Sequence, residues 1–154
     1  MSELTVIRAL PHVHKSDGKL RRLVLRADRL TLAKRRWRAA AEDGREFGFD
    51  LETPLKHDDC FFIDETSSYF LEQQPEPVLE IPISTPEEAA SIAWKIGNLH
   101  LGIQVLPSVL RVIDDSAAAQ MLTREGIAFQ RHAGLFLPLA TGGSHHQHHH
   151  QEHE

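Results

Sequence analysis

The stretch from Thr85 to Asn98 carries a full set of helix signals, and it constrains everything around it. Thr85 can serve as N-cap, Pro86 occupies the first helical position, and Glu88 completes a capping box. Ala89, Ile92, Ala93 and Ile96 then recur at helical spacing, which gives one apolar face. Gly97-Asn98 supplies the stop. A second helix is expected after Asp114, Asp115 and Ser116, with Ala118, Met121 and Leu122 facing inward and Gly126 ending it. Strand-type runs flank both helices: residues 78–83, 103–106, 109–113 after Pro107-Ser108, and 127–129 with 135–136. The resulting order, strand, helix, strand, strand, helix, strand, is the βαββαβ pattern of a ferredoxin-like sandwich. Such a fold hosts many functions and decides none of them.

Upstream, residues 4–70 read as a small all-β unit. Strand runs are expected at 4–7, 20–25, 36–39, 46–50, 60–63 and 68–71, with Asp28-Arg29-Leu30-Thr31 as a further extended piece. Asp43-Gly44 marks a tight turn, because Gly accepts positive φ. Glu72-Gln73-Gln74-Pro75-Glu76-Pro77 is polar with two prolines and suits a linker. The expected class is therefore α+β: a β-rich domain over 1–74, a ferredoxin-like domain over 75–139, and a tail over 140–154.

The tail is the compositional outlier. Of 11 histidines, six lie in the last ten residues: His145, His146, His148, His149, His150 and His153. No apolar residue follows Ala140, so the segment cannot bury a core, and disorder without metal is expected. Neutral imidazole is a good ligand for nickel, copper and zinc. Glu152 and Glu154 add carboxylates, while the absence of a nearby thiol argues against Cu(I) or iron–sulfur roles. A terminal histidine run also fits a purification tag, but Gln147, Gln151 and Glu152 interrupt this one. Metal takes only neutral imidazole and free histidine titrates near pH 6.5, so capacity should fall as pH drops through roughly 6 to 6.5.

The remaining composition narrows the class. A net charge of −5 disfavours a general nucleic-acid binder. The lone Cys60 cannot form an internal disulfide, which fits a reducing, cytoplasmic compartment. The start has no secretory pattern and no run is long and apolar enough for a membrane span, so no membrane role is expected. No Gly-rich phosphate loop, His-Glu-x-x-His, Gly-x-Ser-x-Gly or Cys-x-x-Cys is present, so no enzyme chemistry is expected.

His100, in Gly97-Asn98-Leu99-His100-Leu101, is by itself one histidine at a helix end, where capping or packing explains it. Beside the terminal run it carries more. The motif resembles the Gly-Asn-x-His of the urease accessory protein UreE family, which are nickel metallochaperones. Asp28-Arg29 with Arg36 and Arg38, residues 43–48, Pro75-Glu76-Pro77-Val78-Leu79-Glu80 and Arg124-Glu125-Gly126 resemble the family in the same order. The resemblance implies a peptide-binding-like β domain, a metal-binding ferredoxin-like domain and a homodimer that pairs His100 from two subunits at the two-fold axis. It implies Ni(II) as cargo; by their own chemistry imidazole sites also take Cu(II) and Zn(II), so either should compete in vitro. It further implies as partners the urease accessory GTPase (UreG) and the apo-urease assembly complex. Metal ligands are then His100 together with His145, His146, His148, His149, His150 and His153. The chain departs from the family in two respects. Gly102 stands where the family commonly has Pro, and Asp114 and Ser116 stand where some members carry further histidines. Asp114 and Asp115 are therefore read as helix caps.

Other histidines have plainer readings. His12 and His14 share a strand face and could chelate, though a solvated strand end is the plainer reading; His57 reads as a loop residue, and His132, near the end of the fold, could join a late site. Cys60, flanked by Phe61 and Phe62, reads as a small buried hydrophobe. The basic run Lys34-Arg35-Arg36-Trp37-Arg38 fits an RNA patch or an acidic-partner surface, but a solvated strand face with Trp37 inward is the plainer reading. A competing function is a peptide-binding co-chaperone module whose tail is a nonspecific metal sponge.

Overall fold

Alternation of apolar and polar side chains sets the strands, and capping residues set the helices. The computed structural model describes residues 3–12 and 19–140. Within them lie β1 (Thr5–Ile7), β2 (Arg21–Ala27), α1 (Arg29–Leu32), β3 (Arg36–Ala40), β4 (Glu46–Asp50), β5 (Cys60–Ile63) and β6 (Ser67–Gln73). These are followed by β7 (Glu76–Pro82), α2 (Pro86–Asn98), β8 (Gln104–Val105), β9 (Val109–Ile113), α3 (Ser116–Arg124) and β10 (Gln130–Gly134). The chain is α+β and falls into two compact units. One is the described residues up to Pro77 with Ala133–Phe136; the other is Val78–His132 with the described residues from 137 onward.

The first unit holds two three-stranded sheets, ordered β1-β4-β3 and β2-β6-β5. In β2, Leu23, Leu25 and Ala27 are buried at alternate positions, as a period of two requires. They lie in parallel register with Tyr69, Leu71 and Gln73 of β6. An aromatic core completes the unit: Phe47 meets Phe61 edge-on at 5.0 Å, and Trp37 stacks on Phe49 at 4.2 Å. Trp37 thus packs inward, as expected. Gly44 takes φ +86° in the β3–β4 turn. Cys60 is buried, and burial pushes its thiol above the usual cysteine range.

Two local expectations for this unit are corrected. Asp28-Arg29-Leu30-Thr31 is not extended but opens α1. Asp28 caps it, accepting the Thr31 N–H at 2.9 Å and the Thr31 hydroxyl at 2.8 Å. A four-residue helix is too short for periodicity, so only this cap could have announced it. Residues 72–77 are not a linker either. Glu72 and Gln73 extend β6, and Glu76 and Pro77 begin β7. Long-range partners hold this polar stretch in place. Gln73 Nε2 donates to the Phe136 carbonyl at 2.7 Å, and Arg29 clasps Glu76 with bonds of 2.8 and 3.1 Å.

The second unit runs strand, helix, strand, strand, helix, strand, with sheet order β10-β7-β9-β8. Leu79 and Ile81 of β7 pair antiparallel with Val112 and Leu110 of β9. These four share one core with Ile92 and Ile96 of α2 and with Ala118, Ala119, Met121 and Leu122 of α3. Thr85 caps α2, accepting the Glu88 N–H at 3.1 Å, and Glu88 in turn accepts the Ser84 N–H at 2.8 Å. Replacing Thr85 with Ala should cost about 1 kcal/mol, measured by chemical denaturation. Asp115 caps α3, bonding the Ala117 and Ala118 N–H groups. Gly126 ends that helix at φ +69°.

The last strand is displaced from its expected position. Residues 127–129 and 135–136 are not strand; β10 lies between them and is almost wholly exposed. It is the edge of its sheet, so its ladder requires no apolar side chains. Ile127 and Phe129 pack against the core from outside the sheet. The terminal run expected to be disordered lies outside the described residues, apart from Ala140. Among the described residues no helix is long and apolar enough to cross a membrane.

Candidate metal centre

The end of α2 differs from what Gly97-Asn98 led one to expect. The helix continues through Asn98, Leu99 is its C-cap, and the left-handed residue beyond it is His100, at φ +59°. Its N–H donates to the Gly97 carbonyl at 2.9 Å, and the Leu99 N–H donates to Ile96 at 3.0 Å. This is the position that helices usually give to glycine. A β-carbon there crowds the following carbonyl, at a cost of roughly 1–2 kcal/mol. Leu99, Leu101 and Ile103 pack against the buried core on either side, so the turn is pinned while His100 itself is exposed.

Trp94, 68% exposed, and Gly97 precede His100 on one face of α2, one turn apart. A β-carbon at Gly97 would meet nothing within 4 Å. The glycine is therefore required neither by its backbone nor by contacts among the described residues.

The chain returns to this neighbourhood at its far end. Leu139 N–H donates to the Ile103 carbonyl at 2.8 Å, and Leu137 N–H donates to the Gln104 Oε1 at 3.1 Å. Gln104 is buried, so this bond satisfies an amide that would otherwise lie dry. A β-carbon on Gly102 would lie 3.1 Å from the Pro138 Cβ. Local sequence signals missed these contacts of Gly102, Gln104 and Pro138, because nothing nearby in sequence marks a contact over some 35 residues.

The other histidines are dispersed. His132 Nε2 lies 3.4 Å from Glu80 Oε2, which also accepts from Arg111 Nε at 2.8 Å. His57 is half-buried; its Nδ1 accepts the Gln73 N–H at 3.1 Å, which makes it a tie for its loop. His12 is exposed, and His14 lies outside the described residues. Asp114 pairs with Arg131 at 3.3 Å. Of the basic run, Arg36 pairs with Asp50 at 2.7 Å. Among the described residues no three His, Cys, Asp or Glu side chains form a group able to hold a metal ion. His145, His146, His148, His149, His150 and His153 lie outside the described residues.

A chain with this order of elements and a strained, exposed histidine closing a helix matches one family model. Residues 76–154 fit the model described as "UreE urease accessory protein, C-terminal domain". Relatives include the urease accessory protein UreE of Rhodopseudomonas palustris, 31% identical over 73% of this chain and 56% of that protein. That of Beijerinckia indica is 31% identical over 75% and 70%, and that of Bacillus cereus 30% over 65% and 68%. The match thus spans little more than half of the first relative's length. The chain belongs to the UreE family of urease accessory proteins.

Proposed function

We propose that this protein is a nickel metallochaperone, a carrier without catalytic chemistry, that acts in urease maturation. His100 of one subunit and the partner subunit's His100 hold the ion, and His145, His146, His148, His149, His150 and His153 capture and relay it. The observation that carries this reading is the backbone of His100. An exposed histidine kept in a conformation suited to glycine, between two core-anchored leucines, has a cost that ligation by its imidazole would justify. A single imidazole cannot hold a divalent ion against water, so further ligands are needed. A two-fold axis beside His100 supplies the second, and exposed Trp94 next to side-chain-free Gly97 supports a close seat for a second copy there.

In this reading the ferredoxin-like unit carries the metal and the β-rich unit binds peptide, with boundaries near 1–74, 75–139 and 140–154. The urease accessory GTPase and apo-urease receive the ion in the cytoplasm. Zn(II) and Cu(II) compete in vitro, since imidazole sites favour copper over nickel. Titration of the purified chain with Ni²⁺ and Zn²⁺, read as ions per dimer, tests the assignment. Binding without a dimer-dependent ion would refute it.

Acid should separate release from unfolding. A backbone bond from Thr31 holds Asp28 below the ordinary 3.8, the Arg36 guanidinium does the same for Asp50, and a backbone bond from Thr66 does so for Asp64. Lys95 holds Glu125 below the ordinary 4.5. A depressed carboxylate contributes stability above its unfolded pKa and loses it only as pH falls through its folded value. These contributions therefore persist at roughly pH 6 to 6.5, where free histidine takes up a proton. Dialysis at stepped pH should show nickel leaving while the far-ultraviolet circular dichroism is retained.

A further inference from the structure

We infer that the groove lined by Arg8, Leu10, Arg35, Arg36, Pro54 and Lys56 binds an extended acidic segment of a partner protein, with carboxylates on the cations and an aliphatic side chain on Leu10. The inference rests on the reading that the β-rich unit binds peptide, and it adds the place and the chemistry of the ligand.

Sequence scatters these residues, and one end of a sheet gathers them. Arg8 follows β1, Arg36 opens β3, and residues 51–56 follow β4. β1 runs parallel to β4 and β3 antiparallel to it, so the end of β1, the start of β3 and the end of β4 meet. The Arg35 carbonyl accepts the Leu51 N–H at 3.0 Å, and Asp59 accepts the Lys56 N–H at 2.7 Å, which ties both ends of the groove. It consists of two adjoining hollows of about 610 and 540 Å³ that share Arg8, Leu51 and Glu52. Each lies within the span of ligand sites, roughly 300–1,000 Å³, so a peptide segment fits where a lone ion would leave most of the space to water.

The chain carries a charge of −5, yet the groove is rich in cationic donors. Arg36 donates to Asp50 at 2.7 Å; that bond holds the Asp50 carboxyl below its usual range, and the Arg8 and Arg35 guanidiniums lower it further. Three guanidiniums therefore surround one carboxylate. Among the described residues, the Arg8, Arg35 and Lys56 side chains pair with no carboxylate. Four cations face Asp50, Glu52 and Asp59, and of these Asp50 and Asp59 already accept bonds. Each guanidinium brings five N–H donors, so donors far exceed acceptors. Cations at both ends and at the middle suit a ligand with several spaced carboxylates. A nucleic acid would also need aromatic platforms. None lines either hollow, and Trp37, the ring within the basic run 34–38, packs inward on Phe49. The groove offers instead Leu10, 42% exposed, and half-buried Pro54 as apolar contacts.

The test uses the full chain and a short fluorescein-labelled peptide of glutamate and leucine, read by fluorescence anisotropy. The acidic peptide should bind, more weakly as salt rises, and its glutamine counterpart should bind about tenfold less tightly. Arg8→Glu with Arg35→Glu should weaken the acidic peptide by about tenfold, and Arg8→Gln with Arg35→Gln, the milder pair, by about threefold. Leu10→Ser should cost about threefold through lost apolar contact. Arg21→Glu with Arg124→Glu makes the same change in net charge at exposed arginines away from the groove, and should shift affinity by less than about twofold. Equal weakening in that control would reduce the effect to net charge and overturn the groove. Single-stranded RNA that binds more tightly than the peptide, and is lost in the same variants, would overturn the assignment to an acidic protein. If acidic peptide binds the Arg8 and Arg35 variants as it binds the parent, the groove is refuted and the peptide-binding reading stands. If acidic, neutral and basic peptides all fail to bind the parent, that reading falls together with the groove.

Discussion

Removing residues 140–154 is expected to reduce nickel binding to one ion per dimer, and His100→Ala in that shortened chain to abolish the remaining ion. The two changes act on different ligand sets. The run holds six imidazoles per subunit, enough for ions beyond the first, whereas His100 is the one histidine in the turn that closes α2. Equilibrium dialysis with Ni²⁺ measures both steps. A shortened chain with unchanged stoichiometry would remove the tail from the mechanism. A shortened His100→Ala chain that still binds one ion per dimer would remove His100. The same shortened chain separates the competing reading, a peptide-binding module with a nonspecific metal-binding tail. If Ni²⁺ no longer affects the concentration dependence of dimerisation, that reading gains; if Ni²⁺ still tightens the dimer, the metal-carrier reading does.

The second large effect is an opposition between stability and binding at the same residue. His100→Gly should eliminate the residual ion and yet stabilise the metal-free chain by about 1 kcal/mol, because glycine adopts φ near +59° without the β-carbon clash. His100→Ala should lose the ion without that gain, since alanine keeps the β-carbon. Chemical denaturation of the metal-free proteins gives the stability order Gly above His and Ala. If His100→Gly proves less stable than the parent, the left-handed turn is not a source of strain, and the backbone argument for His100 falls with it.

Particular residues show why some of this was legible beforehand. Thr85, Pro86 and Glu88 announce α2, and Asp115 announces α3, because a cap acts within a few residues of itself. Leu23 and Leu25 announce β2 by alternation. Signals of this range failed where the structure-forming contact was remote. Residues 72–77 read as a linker because their strand character depends on Phe136 and Arg29. β10 was misplaced because an edge strand need not be apolar. The parallel pairing of β2 with β6 joins residues 46 apart, and no local pattern encodes it.

The sequence alone therefore determined the order of elements in the second unit, the N-caps of α2 and α3, the imidazole-rich terminus and the motif around His100, since each depends on neighbours along the chain. Only the tertiary structure decided that His100, and not Gly97, takes the left-handed position. It alone brought Leu137 and Leu139 against Gln104 and Ile103, and set the Pro138 Cβ 3.1 Å from where a β-carbon on Gly102 would lie. Contacts of that kind form only when the buried core has drawn distant segments together, and burial of apolar surface is a property of the whole fold and not of any window of sequence.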